Sequence, residues 1–111
     1  VVVLNNNHQE RDVYVAIADP TRRQLINLLA KADELPLHEL TAHFEMGRTA
    51  VSKHLTILKD AGLVIARKEG RETRYRLNAA PLKEIQDWIS IYEDFWKARI
   101  SKLHLLLGED K

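Results

Sequence analysis

Arg48-Thr49-Ala50-Val51-Ser52-Lys53-His54-Leu55-Thr56-Ile57-Leu58-Lys59-Asp60-Ala61-Gly62 is the stretch whose reading decides the fold. Val51, Leu55 and Leu58 step by four and three, so the spacing predicts a helix over residues 48–61 with one buried stripe. Gly62 is the natural left-handed stop after it. The opposite face carries Arg48, Thr49, Ser52, Lys53, Thr56 and Lys59, all small polar or cationic. Short hydroxyls let a helix approach the floor of a major groove, and long cations reach guanine edges or phosphates. The free amides at the start of the helix, around Arg48 and Thr49, add a partial positive charge suited to phosphate.

Working outward, Leu37, Leu40 and Phe44 stand at i, i+3 and i+7 and predict a short helix over residues 37–44. Glu45-Met46-Gly47 is then a turn, and helix, three-residue turn and helix make a helix-turn-helix. After Gly62 the period changes. Residues 63–68 and 72–77 read as strands joined by Glu69-Gly70-Arg71, with Arg74 and Arg76 alternating with Tyr75 and Leu77. A hairpin directly after a helix-turn-helix is a wing. Its cations Arg67, Lys68, Arg71, Arg74 and Arg76 can straddle a sugar-phosphate backbone, with Gly70-Arg71 as the tip entering a minor groove. Arg74 and Arg76 have a second destination in Glu69, Glu72 or the neighbouring helices.

The flanks complete the plan. Residues 8–18 read as a helix with Val13, Ala16 and Ile17 on one face. Asp19 caps and Pro20 opens a second helix over residues 20–32, which buries Leu25, Ile26, Leu28 and Leu29. Asn78 and Pro81 lead into one long helix over residues 81–107. Its stripe of Leu82, Ile85, Ile89, Tyr92, Trp96 and Leu103, widened by Trp88, Ile91, Phe95 and Ile100, exceeds what one small domain can cover. The expected fold is mainly α with a small β-hairpin, a winged helix-turn-helix of order α-α-α-α-β-β-α. Residues 1–7 form a flexible tail, 8–80 the DNA-binding domain, and 81–111 a dimerisation helix packed on the same domain. An isologous two-fold interface is expected through Val13, Ile17, Leu82, Ile85, Trp88, Ile89, Tyr92, Trp96 and Leu103, with Arg99 pairing with an acid of the partner. The aromatics of this helix also admit a ligand-pocket reading, which spacing ranks below core or interface.

Composition bounds the class. The 111 residues are 45% apolar and 30% charged, as in a globular single domain. Net charge is only +1, but its distribution is uneven. Residues 48–76 hold eight cations against three acids, a net of five positive charges, and the remainder is net negative by four. One basic segment in a near-neutral chain is the footprint of a polyanion partner, here double-stranded DNA. There is no cysteine, so disulfides and thiolate ligands are excluded, which fits a cytoplasmic setting. No apolar run reaches the roughly 20 residues of a membrane span, and Val1-Val2-Val3-Leu4 is too short for a signal-peptide core. No phosphate-cradling glycine loop or nucleophile elbow is present, so an enzyme is not expected. No cofactor or metal is called for.

Ser52-Lys53-His54-Leu55 followed by Leu58-Lys59-Asp60-Ala61-Gly62-Leu63-Val64 resembles the recognition-helix signature of the ArsR/SmtB repressors. Asp19-Pro20-Thr21-Arg22-Arg23, and Glu69-Gly70-Arg71 with Tyr75-Arg76-Leu77, are similar to its other landmarks. The resemblance covers residues 13–107 and implies a dimeric repressor on a palindromic operator, released by an inducer that in the best-known members is a metal. Where the family carries ELCxCDL, this chain reads Glu34-Leu35-Pro36-Leu37-His38-Glu39-Leu40, without either thiolate. Its C-terminal helix offers Glu84, Asp87, Glu93, Asp94 and His104 but not the Asp-x-His and His-x-x-His/Glu pattern of the second family site. Trp88, Tyr92, Glu93, Phe95-Trp96 and Leu103 resemble instead the metal-independent SdpR-like branch. A sensor with a metal or small molecule at the dimer helices is the alternative. His38 and His43, five apart, do not share one helical face, and His54 either touches phosphate or braces the motif.

Overall fold

The computed structural model describes residues 12–108, so the expected tail and the first residues of the expected first helix lie outside the described part. The first helix, α1, covers Val13–Ile17. Asp12 caps it, its carboxylate accepting the Tyr14 amide at 2.7 Å. Asp19 then accepts the Arg22 amide at 3.1 Å, and Pro20 takes the first position of α2, Pro20–Ala30. That is the expected cap, and proline at this position costs no hydrogen bond because its amide would be an orphan. A two-residue strand β1, Leu35–Pro36, enters α3, Leu37–Thr41. After the turn comes α4, Arg48–Asp60, then β2, Val64–Glu69, and β3, Glu72–Leu77.

The end of α4 sets the wing. Gly62 has φ +81. The Leu63 amide reaches the Leu58 carbonyl at 2.9 Å and the Gly62 amide the Lys59 carbonyl at 2.9 Å, the two bonds of a Schellman stop. Leu58 and Leu63, the apolar pair that accompanies this motif, are both fully buried. Asn78 closes the base of the hairpin, its amide bonding Leu63 O at 2.8 Å and its side chain Gly62 O at 2.9 Å. In the hairpin Val64 faces Leu77, Ala66 faces Tyr75 and Lys68 faces Thr73. The loop is Gly70-Arg71, with φ +64 at Gly70, as a II′ turn requires. β1 adds to β3 with Leu35 opposite Tyr75, so the sheet has three strands in the order β1-β3-β2.

The core gathers the apolar stripes: Val13 and Ala16 from α1, Leu25, Ile26 and Leu29 from α2, Leu40 from α3, Val51, Leu55 and Leu58 from α4, and Leu63, Val64 and Tyr75 around the wing. Leu58 lies at the centre of this cluster and at the Schellman stop. Leu58→Ala is expected to cost ~2–5 kcal/mol of stability, measured as a shift of the urea midpoint at unchanged slope. A cost under about 1 kcal/mol would contradict this placement.

Three expectations are corrected. Val13, placed at the dimer seam by the sequence reading, is only 4% exposed and belongs to the protomer's own core. The third helix ends at Thr41 rather than residue 44. The long C-terminal helix is two: α5, Leu82–Ser90, and α6, Glu93–Leu106. The Ser90 hydroxyl donates to the Asp87 carbonyl at 2.7 Å, the acceptor that the Ile91 amide would take in a continuous helix. The Ile91 and Tyr92 amides turn instead to the carbonyls three residues back, Trp88 and Ile89. Such back-bonding by serine bends helices, and Glu93 and Asp94 then fall in the first turn of α6, where acids suit the macrodipole.

Candidate nucleic-acid interface

The N-cap of α4 is Gly47, and no side chain caps that end, so the first-turn amides stay open to an external acceptor. Arg48, Thr49, Lys53, Thr56 and Lys59 are exposed and Ser52 half-buried, while Val51, Leu55 and Leu58 face the core. The Thr56 hydroxyl donates to Ser52 O at 3.1 Å. Two concavities join this helix to the wing. A cleft of about 460 Å³ is lined by Leu37, His38, Arg48, Arg71, Glu72 and Thr73. A groove of about 280 Å³ runs between Thr56 and Lys59 on one side and Lys68 and Thr73 on the other. The structure thus places Arg48 and Arg71 on one cleft, and Lys59 and Lys68 on one groove. Among the described residues, none of Arg48, Lys53, Lys59, Lys68, Arg71 and Arg76 forms an ion pair.

Arg67 and Arg74 stand elsewhere. Strand alternation puts them directly opposite one another, on the sheet face away from Ala66, Tyr75 and α4. There they meet Glu34. Arg67 grips both carboxylate oxygens, Nη2 to Oε1 at 2.6 Å and Nε to Oε2 at 3.0 Å, and Arg74 Nε reaches Oε1 at 3.0 Å. Arg74 also bonds Glu72 at 2.5 Å. The hydrogen bond from Arg67, against some desolvation and with help from Arg74, pulls the Glu34 carboxyl down to about 2. The sequence reading places these two arginines on DNA; in the structure both pair with the protein's own carboxylates.

His54 is also turned inward. Its Nδ1 accepts from Arg22 Nη1 at 3.1 Å and lies 3.8 Å from Asp19. Arg22 donates in addition to the carbonyls of Ala16 at 2.7 Å and Val15 at 3.2 Å, and Arg23 to Ile17 at 2.7 Å. Two guanidiniums thus bind the carbonyls at the end of α1, and Arg22 ties that end to α4. Desolvation opposes ionisation of Asp19, but the hydrogen bond from the Arg22 amide and the charge of the Arg22 guanidinium outweigh it and hold the carboxyl below its ordinary range. Sequence reasoning missed both Arg22 and Glu34 as structural centres. Arg22 sits beside a legible cap, but Glu34 meets its arginines across 33 and 40 residues, a separation with no local signal.

The C-terminal helices present the second surface. Leu82 and Ile85 pack against the core, as does Ile17. Tyr14 meets Trp88 edge-on at 5.7 Å, and Trp88 meets Tyr92 at 6.0 Å, which docks α5 on α1. Beyond that contact every residue of α6 is exposed, including Trp96 at 49% and Leu103 at 53%. Arg99 lies over the Phe95 ring of its own helix, 4.5 Å from the centroid. Contiguous apolar exposure on this scale marks an interaction surface.

At the position of the family's thiolate site, the side chains present do not form a metal-ligand set within the protomer. Glu34 is held by two arginines, and His38 comes no nearer than 4.0 Å to Glu72. Among the described residues no three His, Asp or Glu side chains come together as a ligand set, and zinc needs three or four. No helix among those residues is long and apolar enough to cross a membrane.

The profile of the bacterial regulatory proteins of the arsR family matches residues 19–66, which run from the α2 cap to the middle of β2. The chain is 33% identical over 78 residues to the transcriptional repressor SdpR of Bacillus subtilis strain 168, covering 70% of this chain and 86% of that one. Among solved structures, a possible transcriptional regulator for arsenical resistance superposes with TM-score 0.65 at 37% identity, over 90% of this chain and 97% of the other. The homodimeric winged helix-turn-helix DNA-binding domain of a possible ArsR-family regulator from Mycobacterium bovis superposes with TM-score 0.60 at 28% identity, over 80% of each chain. The profile, the repressor and the superposed folds agree with the open basic face of α4 and the wing: the chain belongs to the ArsR family, as a winged helix-turn-helix DNA-binding transcriptional regulator.

Proposed function

We propose that two copies of this chain pair through α5 and α6 and occupy a palindromic operator as a repressor in the bacterial cytoplasm. The observation that carries this is the convergence of cations, without an ion pair among the described residues, from two elements on one surface: Arg48 with Arg71 in one cleft, and Lys59 with Lys68 across one groove. In this reading α4 lies in the major groove, with Arg48, Thr49, Ser52, Lys53 and Thr56 facing bases and phosphates. Lys59, Lys68 and, at the wing tip, Arg71 follow the backbone beside the adjacent minor groove. Ile17, Leu82, Ile85, Trp88, Ile89, Tyr92, Trp96 and Leu103 border the two-fold seam. The exposure of the aromatic face supports the pairing, as does the homodimeric state of the Mycobacterium bovis relative. A two-fold dimer sets its reading helices about one DNA turn apart, roughly 34–36 Å.

Salt titration tests the reading. A dimer placing three to five cations per protomer on phosphates gives a log–log slope of affinity against salt of about −5 to −9. A slope near zero would overturn it in favour of a module for protein association.

A further inference from the structure

We infer that Glu34 is the residue that positions the wing for DNA, with Arg67 and Arg74 serving as its internal counterions rather than as DNA contacts. The inference rests on the DNA-binding reading above and assigns the mechanics of that site.

The wing needs such a brace. An isolated two-stranded hairpin is marginally stable in water, and here the pairing to β1 spans only Leu35–Tyr75 and Pro36–Arg74. Past that point the hairpin leaves the core: Ala66 and Tyr75 are its last residues packed on the apolar cluster, and Arg67, Lys68, Glu69, Gly70 and Arg71 are exposed. The Glu34 cluster sits at this boundary. One carboxylate, anchored just before the buried Pro36, holds an arginine from each wing strand, and the fork on Arg67 is bidentate. Charge-assisted bidentate pairs fix direction as well as distance. Glu69 and Glu72 complete the cluster from within the wing, at 3.4 Å from Arg67 and 2.5 Å from Arg74. Among the described residues, Glu34 makes the close connection from this cluster to the body, with His38 approaching Glu72 only at 4.0 Å. The outcome is a division of labour by strand face: Arg67 and Arg74 are neutralised, and Lys68 and Arg71 remain for the polyanion.

The sign of one substitution separates this role from simple electrostatics. Glu34→Gln removes a negative charge from a protein whose partner is a polyanion, so charge alone predicts tighter binding. A positioning role predicts the reverse: operator affinity about tenfold weaker or more, at an unchanged salt slope, because no phosphate contact is lost. Arg67→Gln with Arg74→Gln is expected to behave alike, weaker with the slope kept within about 0.5. Arg71→Gln is expected to flatten the slope by about 1.8 for the dimer, two phosphate contacts at ~0.9 each. Affinity equal to or tighter than the parent chain in the Glu34 variant overturns the inference. So does a slope in the Arg67/Arg74 variant that flattens as much as with Arg71→Gln, and this second readout stands if the Glu34 variant folds poorly. If the parent chain itself shows no salt-dependent duplex binding, the DNA-binding reading fails instead, a result distinct from either.

Discussion

Replacing Arg48 and Lys53 together with alanine is expected to lower affinity for a palindromic duplex at least a thousandfold without unfolding the protein. Both side chains are exposed on α4 and form no ion pair among the described residues, so their removal leaves the core of Val51, Leu55 and Leu58 intact. Exposed substitutions of this kind stay within about 0.5 kcal/mol of parental stability. On DNA the account differs. A well-placed cation on a base edge contributes ~1–3 kcal/mol, and a two-fold dimer loses each contact twice. The low end of that range already sums to about 4 kcal/mol, a factor of about a thousand. Arg48 carries the larger share, since it stands at the open N-terminus of α4 and lines the cleft with Arg71. Competition binding against random and selected duplexes measures the loss, and circular dichroism checks the fold. Tight binding retained by the double variant would show that the outward face of α4 does not read DNA.

The second large effect belongs to α6. Trp96→Asp with Leu103→Asp is expected to weaken self-association at least a thousandfold and, through it, operator binding. The two positions are seven residues apart, on one side of the helix, and about half of each is exposed in the protomer. A carboxylate at either therefore costs the isolated chain little. Across a two-fold seam each lost apolar side chain forfeits ~1.5–3 kcal/mol of burial, twice over, and the introduced charges face one another. Sedimentation velocity over a concentration series reads the shift directly. A double variant that stays dimeric at the parental concentration would move the seam away from α6.

The reading helix and its stop were legible because their determinants are local. Val51, Leu55 and Leu58 declare a buried stripe, and Gly62 at φ +81 does what only glycine does easily. The cap at Asp19-Pro20 and a glycine turn at Glu69-Gly70-Arg71 were readable on the same grounds, though not the two-residue II′ form it takes. The break between α5 and α6 was harder. No proline or glycine marks it; a serine hydroxyl takes the carbonyl that the Ile91 amide would otherwise use, a choice that helical periodicity does not register. Val13 was read as interface because its face is apolar, yet an apolar face does not say which partner covers it. Here the protomer's own core does.

The basic segment shows the same boundary most clearly. Sequence by itself determined that residues 48–76 carry a surplus of cations, that a helix-turn-helix and a hairpin hold them, and that the thiolate metal site of the family is absent. Each of these follows from residue types within a few positions of one another. Only the tertiary structure decided which cations are available. Glu34 lies 33 and 40 residues from Arg67 and Arg74, and His54 lies 32 from Arg22. Ion pairs at such separations form when the β1–β3 pairing and the α1–α2 turn bring the groups within a few ångströms, because Coulombic attraction depends on distance in space and not along the chain.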